Sequence, residues 1–546
     1  MSNAIMKYIR AAARTASLIP ILALQGQIIV TNTNDSGPGS LRQAMLDANT
    51  TTGAVQIEFH IPKTDPGFGA GNGVWTIKPL SGLPMVTCAA IEFKGETQAA
   101  FIGEDSNPLG PEIEIDGSLA GEYATGLRIY RANVANFTLL TINRFHRSGI
   151  LAEEVTTGFI CGCYVGTDPT GMLRAGNGYG VFLDSCRFFN ISPWDTVRNV
   201  ISGNVNFGLG LTYGSCMNQV HGNYIGVNRA GTDTLGNGNY GGVRISDRSD
   251  SNRVTDNVIS GNRFGVYVSN ATGNLVMGNT IGGPPPASAG AWSGGGNRFG
   301  GVFLAAYSME ATEHNLVEAN TISGNGGFGV RVVGAGSRFN RIIGNAIFAN
   351  GSGAINLEEG ANEGIMPPVL ERYDGTFLSG TAAPLSFVHV FTDGDRQAEV
   401  YLDYTGTNEQ GHFMMSMSGK TLLANFTALV TDRRDNSSAL SLPLSTTSAV
   451  ETPGRRPSEF RLDPVFPNPF NPAASVRFSV ERPCRVRLTV FNLLGRTVAV
   501  LADGPMASGD HVVSVNASSW ASGPYLVRMD VDGGRWSGMR PFSVVK

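Results

Sequence analysis

Two stretches of the chain gather the residue types that could break a glycosidic bond. The first holds Arg244, Asp247, Arg248, Asp250, Arg253 and Asp256; the second holds Glu310, Glu313, His314 and Glu318. A lyase acting on an acidic sugar needs a cation to neutralise the carboxylate and a base to take the α-proton. A hydrolase needs two carboxyl groups at a set separation. Arg244 and Arg248 could serve as the cation. Asp247, Asp250, Glu313 and His314 are the candidate acids and bases. The plainer reading is a solvated face with turn-forming Asp. A second kind of chemistry is stacking. Trp194 lies in Ile191-Ser-Pro-Trp-Asp195 and Trp292 in a long Gly-rich insertion, and an aromatic ring in a loop can lie on the apolar face of a pyranose. With Arg244 and Asp247 these two Trp make up the expected ligand-binding set. The seven His are scattered, with no His-Glu-x-x-His spacing, and no Gly-x-Ser-x-Gly elbow is visible. No metal site is expected from these residues. Asp393 and Asp395 could bind Ca²⁺, though a plain turn is the simpler reading.

The elements that must hold these residues follow from a repeat. Asn199-Val-Ile201, Asn223-Tyr-Ile225, Asn257-Val-Ile259, Asn279-Thr-Ile281, Asn320-Thr-Ile322 and Asn345-Ala-Ile347 share one pattern, with spacings from Asn223 onward of 34, 22, 41 and 25. Ile-Ser-Gly-Asn follows at Ile201, Ile259 and Ile322, and leads into Phe207-Gly-Leu-Gly-Leu211, Phe264-Gly-Val-Tyr-Val268 and Phe328-Gly-Val-Arg-Val332. Asn-x-Val or Asn-x-Ile then recurs at Asn252, Asn274, Asn315 and Asn340. One unit of about 22 residues thus carries three short strands, each alternating apolar and polar positions. Such a unit cannot bury its own apolar side, but stacked copies share one continuous core. The solution is an all-β fold: a right-handed parallel β-helix with three faces. Asn199, Asn223, Asn257, Asn279, Asn320 and Asn345 are expected at equivalent corners as a hydrogen-bonded ladder, in left-handed backbone that Asn tolerates. The long spacings imply insertions near residues 226–237 and 282–296, with a third like them at residues 166–171, projecting from one side as a wall beside Arg244, Asp247 and Trp292.

Composition agrees. Gly is 71 of 546 residues, charged residues are only 15 %, and no Lys lies between Lys94 and Lys420. A net charge of −4 gives no global field for nucleic acid. No apolar run of 18 residues exists to span a membrane as a helix. Lys7, Arg10 and Arg14 precede the apolar run 18–24, so residues 1–26 read as a signal peptide. The six Cys are too sparse for a disulfide scaffold, and Cys161-Gly-Cys163 lacks a metal-site spacer.

The Asn rhythm stops after Ile365. Alternating strands with turns between them predict a small β-sandwich over 366–446, a linker over 447–459 and a second sandwich over 460–546. Residues 31–45, the Arg-Asn-Val-Ile-Ser-Gly-Asn run and the Gly-Asn-Tyr-Ile-Gly run resemble secreted bacterial right-handed β-helix repeat proteins over 28–365. Residues 366–446 resemble the immunoglobulin-like module that commonly follows them. Phe466-Pro-Asn-Pro-Phe-Asn-Pro472, Leu494-Gly-Arg496 and the strands around them resemble the C-terminal sorting domain of type IX secretion. The resemblances imply export across the outer membrane by that machinery and residence at the cell surface or outside. The expected function is a surface solenoid binding polysaccharide or another surface, adhesin-like. Its rivals are a polysaccharide lyase or glycoside hydrolase on an acidic glycan, and a structural surface-layer or filament component.

Overall fold

A computed structural model describes residues 24–193, 197–283, 293–307, 310–447, 460–465 and 468–546. Trp194, Trp292, residues 1–23 of the expected leader and residues 448–459 of the expected linker lie outside them. The first strand, Leu24–Val30, begins inside the segment expected to be leader. The chain divides into two compact units, residues 1–447 and 448–546.

The first unit is a right-handed parallel β-helix. Among the described residues its strands form three sheets of 11, 11 and 9 members, called here A, B and C, and apart from the antiparallel hairpin of Phe68–Gly69 with Val74–Ile77 in sheet B the neighbour of a strand comes from the next coil. The inward positions explain why. In sheet B, Ile201, Ile225, Ile259, Ile281, Ile322 and Ile347 are successive register partners, all buried. Sheet A stacks Val220, Val254, Val276, Val317 and Ile342 in the same way. Sheet C stacks Leu209, Val243, Val266, Val302, Val330 and Ile355. A slip of one residue would turn each row out to solvent, so register is strongly specified.

Three Asn ladders close the corners. Asn199, Asn223, Asn257, Asn279, Asn320 and Asn345 form one of them, each Nδ2 donating to the next Oδ1 at 2.9–3.0 Å. A second runs from Asn218 through Asn252, Asn274 and Asn315 to Asn340. A third runs from Asn177 through Asn204, Asn237, Asn262, Asn297 and Asn325 to Asn350. The expected left-handed backbone falls one residue earlier than expected. Positive φ belongs to Asp256, Gly278, Ala319 and Gly344, each just before its ladder Asn. The Asn itself stays in ordinary backbone, with its amide aimed inward. Beside the third ladder the sheet C strands carry Gly: a Cβ on Gly208 would stand 2.6 Å from Asn237 Nδ2.

Both ends of the stack are covered, which removes the open sheet edges that invite aggregation. At the N-terminal end helix α1 (Leu41–Thr50), capped by Ser40 Oγ, buries Leu41, Ala44, Met45 and Ala48 in the helix core. At the other end a sandwich of three and four antiparallel strands takes over. Its own core includes Leu378, Val390, Phe413 and Phe426. Phe391, Ala398 and Leu429 instead join the β-helix core. Ile347 and Ala398 exchange two backbone hydrogen bonds at 2.7 Å, and Asp395 Oδ2 accepts from the Ala349 amide at 2.8 Å. Asp393 accepts from the Arg396 amide and Thr427 Oγ1. Asp393 and Asp395 are therefore occupied as turn and docking groups.

The second unit is a separate sandwich of three and four antiparallel strands with its own buried core, including Val476, Val486, Leu488 and Val527. Pro541 lies in its edge strand Trp536–Val544, where a missing N–H is tolerated.

Candidate functional site

The outward side of sheet C differs in chemistry from its inward side. One outward row runs through register partners Leu151, Phe182, Gly210, Arg244, Tyr267, Phe303, Arg331 and Asn356. Rings from this row and from the strand starts touch one another. Tyr179, Phe182 and Phe207 form one cluster, with centroids 4.7–5.8 Å apart. Phe207 lies over Gly210, where a Cβ would come within 2.5 Å of the ring. Phe264, Tyr267, Phe299, Phe303 and Tyr307 form the second cluster, with Phe264 stacked on Phe303 at 5.2 Å. Phe207 and Phe303 are buried and form the floor, whereas Tyr240, Phe299 and Tyr307 are 46 %, 44 % and 62 % exposed. From Phe182 to Arg331 the row crosses six strands, or about 24 Å at ~4.8 Å per step.

Arginines lie on these rings. Arg244 sits 5.0 Å from the Tyr240 centroid and 6.0 Å from that of Tyr267. Arg263 and Arg298 both lie over Phe299, at 4.9 and 5.1 Å. Arg331 lies over Phe303 and holds Glu358 through two hydrogen bonds of 3.0 and 2.6 Å.

The loops stand along one edge of this face. Loops 166–175 and 226–237 each follow a sheet B strand and precede a sheet C strand, as does the insertion after Thr280–Ile281. Each of the first two is pinned as a small hairpin, Thr167 bridging Arg174 and Val227 bridging Thr234. They touch in series: the Arg229 amide donates to Gly171 O at 2.9 Å, Arg174 Nη2 to Gly236 O at 2.6 Å, and the Ser293 amide to Thr232 O at 2.9 Å. A further loop joins them, for Asn107 Nδ2 donates to Pro169 O and Arg229 Nη2 to Pro108 O.

The residues singled out for catalysis are divided: Arg244 is on the sheet C face, whereas Asp247, Arg248 and Asp250, with Glu310, Glu313 and His314, lie in turns from sheet C to sheet A. The stretch 244–256 wraps around corners, with Arg253 on sheet A and Asp256 preceding the next corner. Asp247 therefore does not stand beside the loop wall. It follows the strand Gly241–Ser246 that the loops precede, a separation of about 20 Å at ~3.3 Å per residue. It remains linked to Arg244, whose Nε donates to Ser246 Oγ at 3.1 Å while that hydroxyl donates to Asp247 Oδ2 at 2.7 Å. Arg248 pairs with Glu310 at 2.6 Å. Asp250 Oδ1 accepts from the Thr272 amide at 2.7 Å. Glu313 pairs with Arg338, and His314 stacks on Phe339 at 5.1 Å. These four hold turns together. Of the expected site residues, Arg244 alone reaches the aromatic face among those described. The rings themselves were missed as a site. The Phe-Gly strand starts were the available signal, but they read equally as core.

Comparison with known proteins adds three family matches. Residues 231–365 match the right handed beta helix region, residues 141–284 the periplasmic copper-binding protein family NosD, and residues 464–538 the secretion system C-terminal sorting domain. No curated protein matches the chain. Similar solved structures include a biofilm-associated protein BSP domain, ORF18 of Geobacillus virus E2 and the enzymatically active domain of bacteriophage CBA120 tailspike protein 2. Their identities are 12, 13 and 10 %, with TM-scores of 0.17, 0.33 and 0.24. The matches cover 34, 77 and 94 % of this chain and 30, 77 and 76 % of those chains. The chain thus spans about a third of the biofilm protein's length, and likenesses this low carry no argument about activity.

The sorting domain marks the protein for export by type IX secretion to the cell surface or outside. The NosD match raises copper, and the residues do not fit it. Burial pushes the Cys163 and Cys186 thiols up to about 12 and raises Cys161 as well, so without a metal to displace the proton these thiols stay neutral near pH 7. Among the described residues no group of three His, Cys, Asp or Glu could hold a metal ion.

Proposed function

We infer that this chain, a secreted right-handed parallel β-helix protein with a type IX sorting domain, binds polysaccharide at the cell surface or outside, in the manner of an adhesin. The observation that carries this reading is the pair of ring clusters on the outward face of sheet C. Phe207 and Phe303 pack as a buried floor, while Tyr240, Phe299 and Tyr307 leave ring surface in water, and apolar surface gathered in water marks a contact site. Ring faces suit the apolar faces of sugars, while Tyr hydroxyls and the neighbouring loop amides suit their hydroxyl groups. A face about 24 Å long, with a loop wall along one edge, suits an extended chain that makes many weak contacts.

Affinity electrophoresis through gels containing defined polysaccharides tests the reading. The wild-type protein is expected to be retarded by at least one polymer. A Tyr240→Ala, Phe299→Ala, Tyr307→Ala variant should lose that retardation while keeping its thermal unfolding transition. Equal retardation of the two proteins by every polymer they bind would overturn the reading. Assaying the same polymers for unsaturated or reducing-end products separates binding from cleavage.

A further inference from the structure

We propose that the polysaccharide bound on the sheet C face is an acidic one, its carboxylate or sulfate groups held by Arg244, Arg263 and Arg298. The inference rests on the polysaccharide reading above. Its basis is a contrast in how the arginines of one sheet are neutralised. Towards one end of the face Arg128 is held by Glu153 at 2.6 Å, and towards the other Arg331 is held by Glu358 at 2.6 Å. Between them, Arg244, Arg263 and Arg298 have no carboxylate partner among the described residues. Their recorded side-chain contacts are rings and, for Arg244, the Ser246 hydroxyl. Three uncompensated cations thus gather on one face of a chain whose net charge is −4.

Their geometry suits an anion on a sugar. A guanidinium held over a ring is oriented by the ring's quadrupole. Its N–H edge stays directed outward, where it can meet a carboxylate or sulfate through two parallel hydrogen bonds. Arg263 and Arg298 come from adjacent coils and share Phe299, and the Phe299 amide donates to Arg263 O at 2.8 Å, so the backbone fixes the trio in register. Rings that stack on sugars and cations that meet their acid groups then alternate along one surface. Single-stranded nucleic acid also combines rings with phosphates, but a protein exported to the cell surface or outside meets polyanionic glycan there more readily than nucleic acid.

The test measures binding of polygalacturonate and its fully methyl-esterified form, and of dextran sulfate and dextran, with oligo-dT as competitor. The expected result is at least tenfold tighter binding of one charged member than of its neutral partner, falling as salt rises. Which of the two charged polymers is preferred distinguishes carboxylate from sulfate. Arg263→Gln with Arg298→Gln should remove most of that preference without moving the melting temperature, and the Lys pair should restore part of it. Equal binding of charged and neutral polymers, with the aromatic triple variant still defective, would overturn acid selectivity and leave polysaccharide binding standing. Failure of both variant sets to alter binding would overturn both readings. Oligo-dT binding tighter than either polyanion would overturn the glycan as the ligand.

Discussion

Sheets A and C are made by the same coils, yet their outward faces differ: both carry arginines, but only sheet C sets them on clusters of Phe and Tyr. Sheet A shows Gln219, Arg253, Leu275, Leu316 and Arg341 in one outward row, and His221, Thr255, Met277, Glu318 and Ile343 in the other. Apart from the His221 imidazole, no ring appears in either over these coils. At its C-terminal end sheet A is partly used up by the sandwich, where Arg341 meets Asp435 at 3.4 Å. Sheet C shows rings and arginines over the corresponding coils. Inward, both sheets stack Val, Ile or Leu. The comparison separates two demands. Inward rows answer to packing density and admit few substitutions. Outward rows are free of it, so a departure from an ordinary polar surface there reflects what the face contacts.

The sharpest way to break the comparison is to damage a corner that both sheets depend on. Asn279 donates to Val254 O and Asn320 Oδ1 and accepts from the Asn257 amides, all in the buried interior. Asn279→Leu leaves several of these groups without partners and should cost about 3 kcal/mol or more. Thermal unfolding that does not shift would argue against the ladder as a structural element.

Two buried ionisable groups in the same unit give a pH-dependent version of the contrast. Burial, and then the charge of Arg341, hold His389 down at about 4, below its ordinary 6.5. Its stability contribution is present above pH 6.5 and is lost as pH falls towards 4. Burial, and then the charge of Asp105, push Glu112 up to about 7 from 4.5. Its contribution is complete below pH 4.5 and is lost as pH rises towards 7. Each is worth up to about 3 kcal/mol over its window. The two windows overlap with opposite sign, so the wild-type melting temperature should change little between pH 4.5 and 6.5. His389→Gln should reveal a gain on acidification, and Glu112→Gln a loss. Parallel profiles for all three proteins would contradict the two shifts.

Smaller effects on stability sharpen the comparison between the faces. Replacing Tyr240, Phe299 and Tyr307 by Ala on sheet C should cost under about 1 kcal/mol of stability, since all three are exposed, while weakening polysaccharide binding at least tenfold. Arg253→Gln on the outward row of sheet A is the counterpart. It should change stability by no more than about 0.5 kcal/mol and leave binding as it was. Isothermal titration with the best-retained polymer reads both; equal losses from the two faces would remove the distinction.

The solenoid is legible along the chain alone. An apolar residue two places after each corner Asn, recurring coil after coil, has one way to be buried. A secretion-system sorting domain was equally plain in its motifs. Both are local patterns, readable along the chain. Lateral neighbours are not local: which residues of different coils meet depends on how the coils stack. Coils of 22 to 41 residues carry loops of unequal length, so Arg244, Tyr267, Phe303 and Arg331 stand in one spatial row at sequence intervals of 23, 36 and 28 that show no repeat. The reverse holds for the stretch from Arg244 to Asp256, contiguous in sequence but divided by two corners. The first sandwich follows the same rule. Its alternating strands were legible, but Phe391 and Leu429 cap the β-helix because the last coil leaves an apolar end that only a following segment can cover.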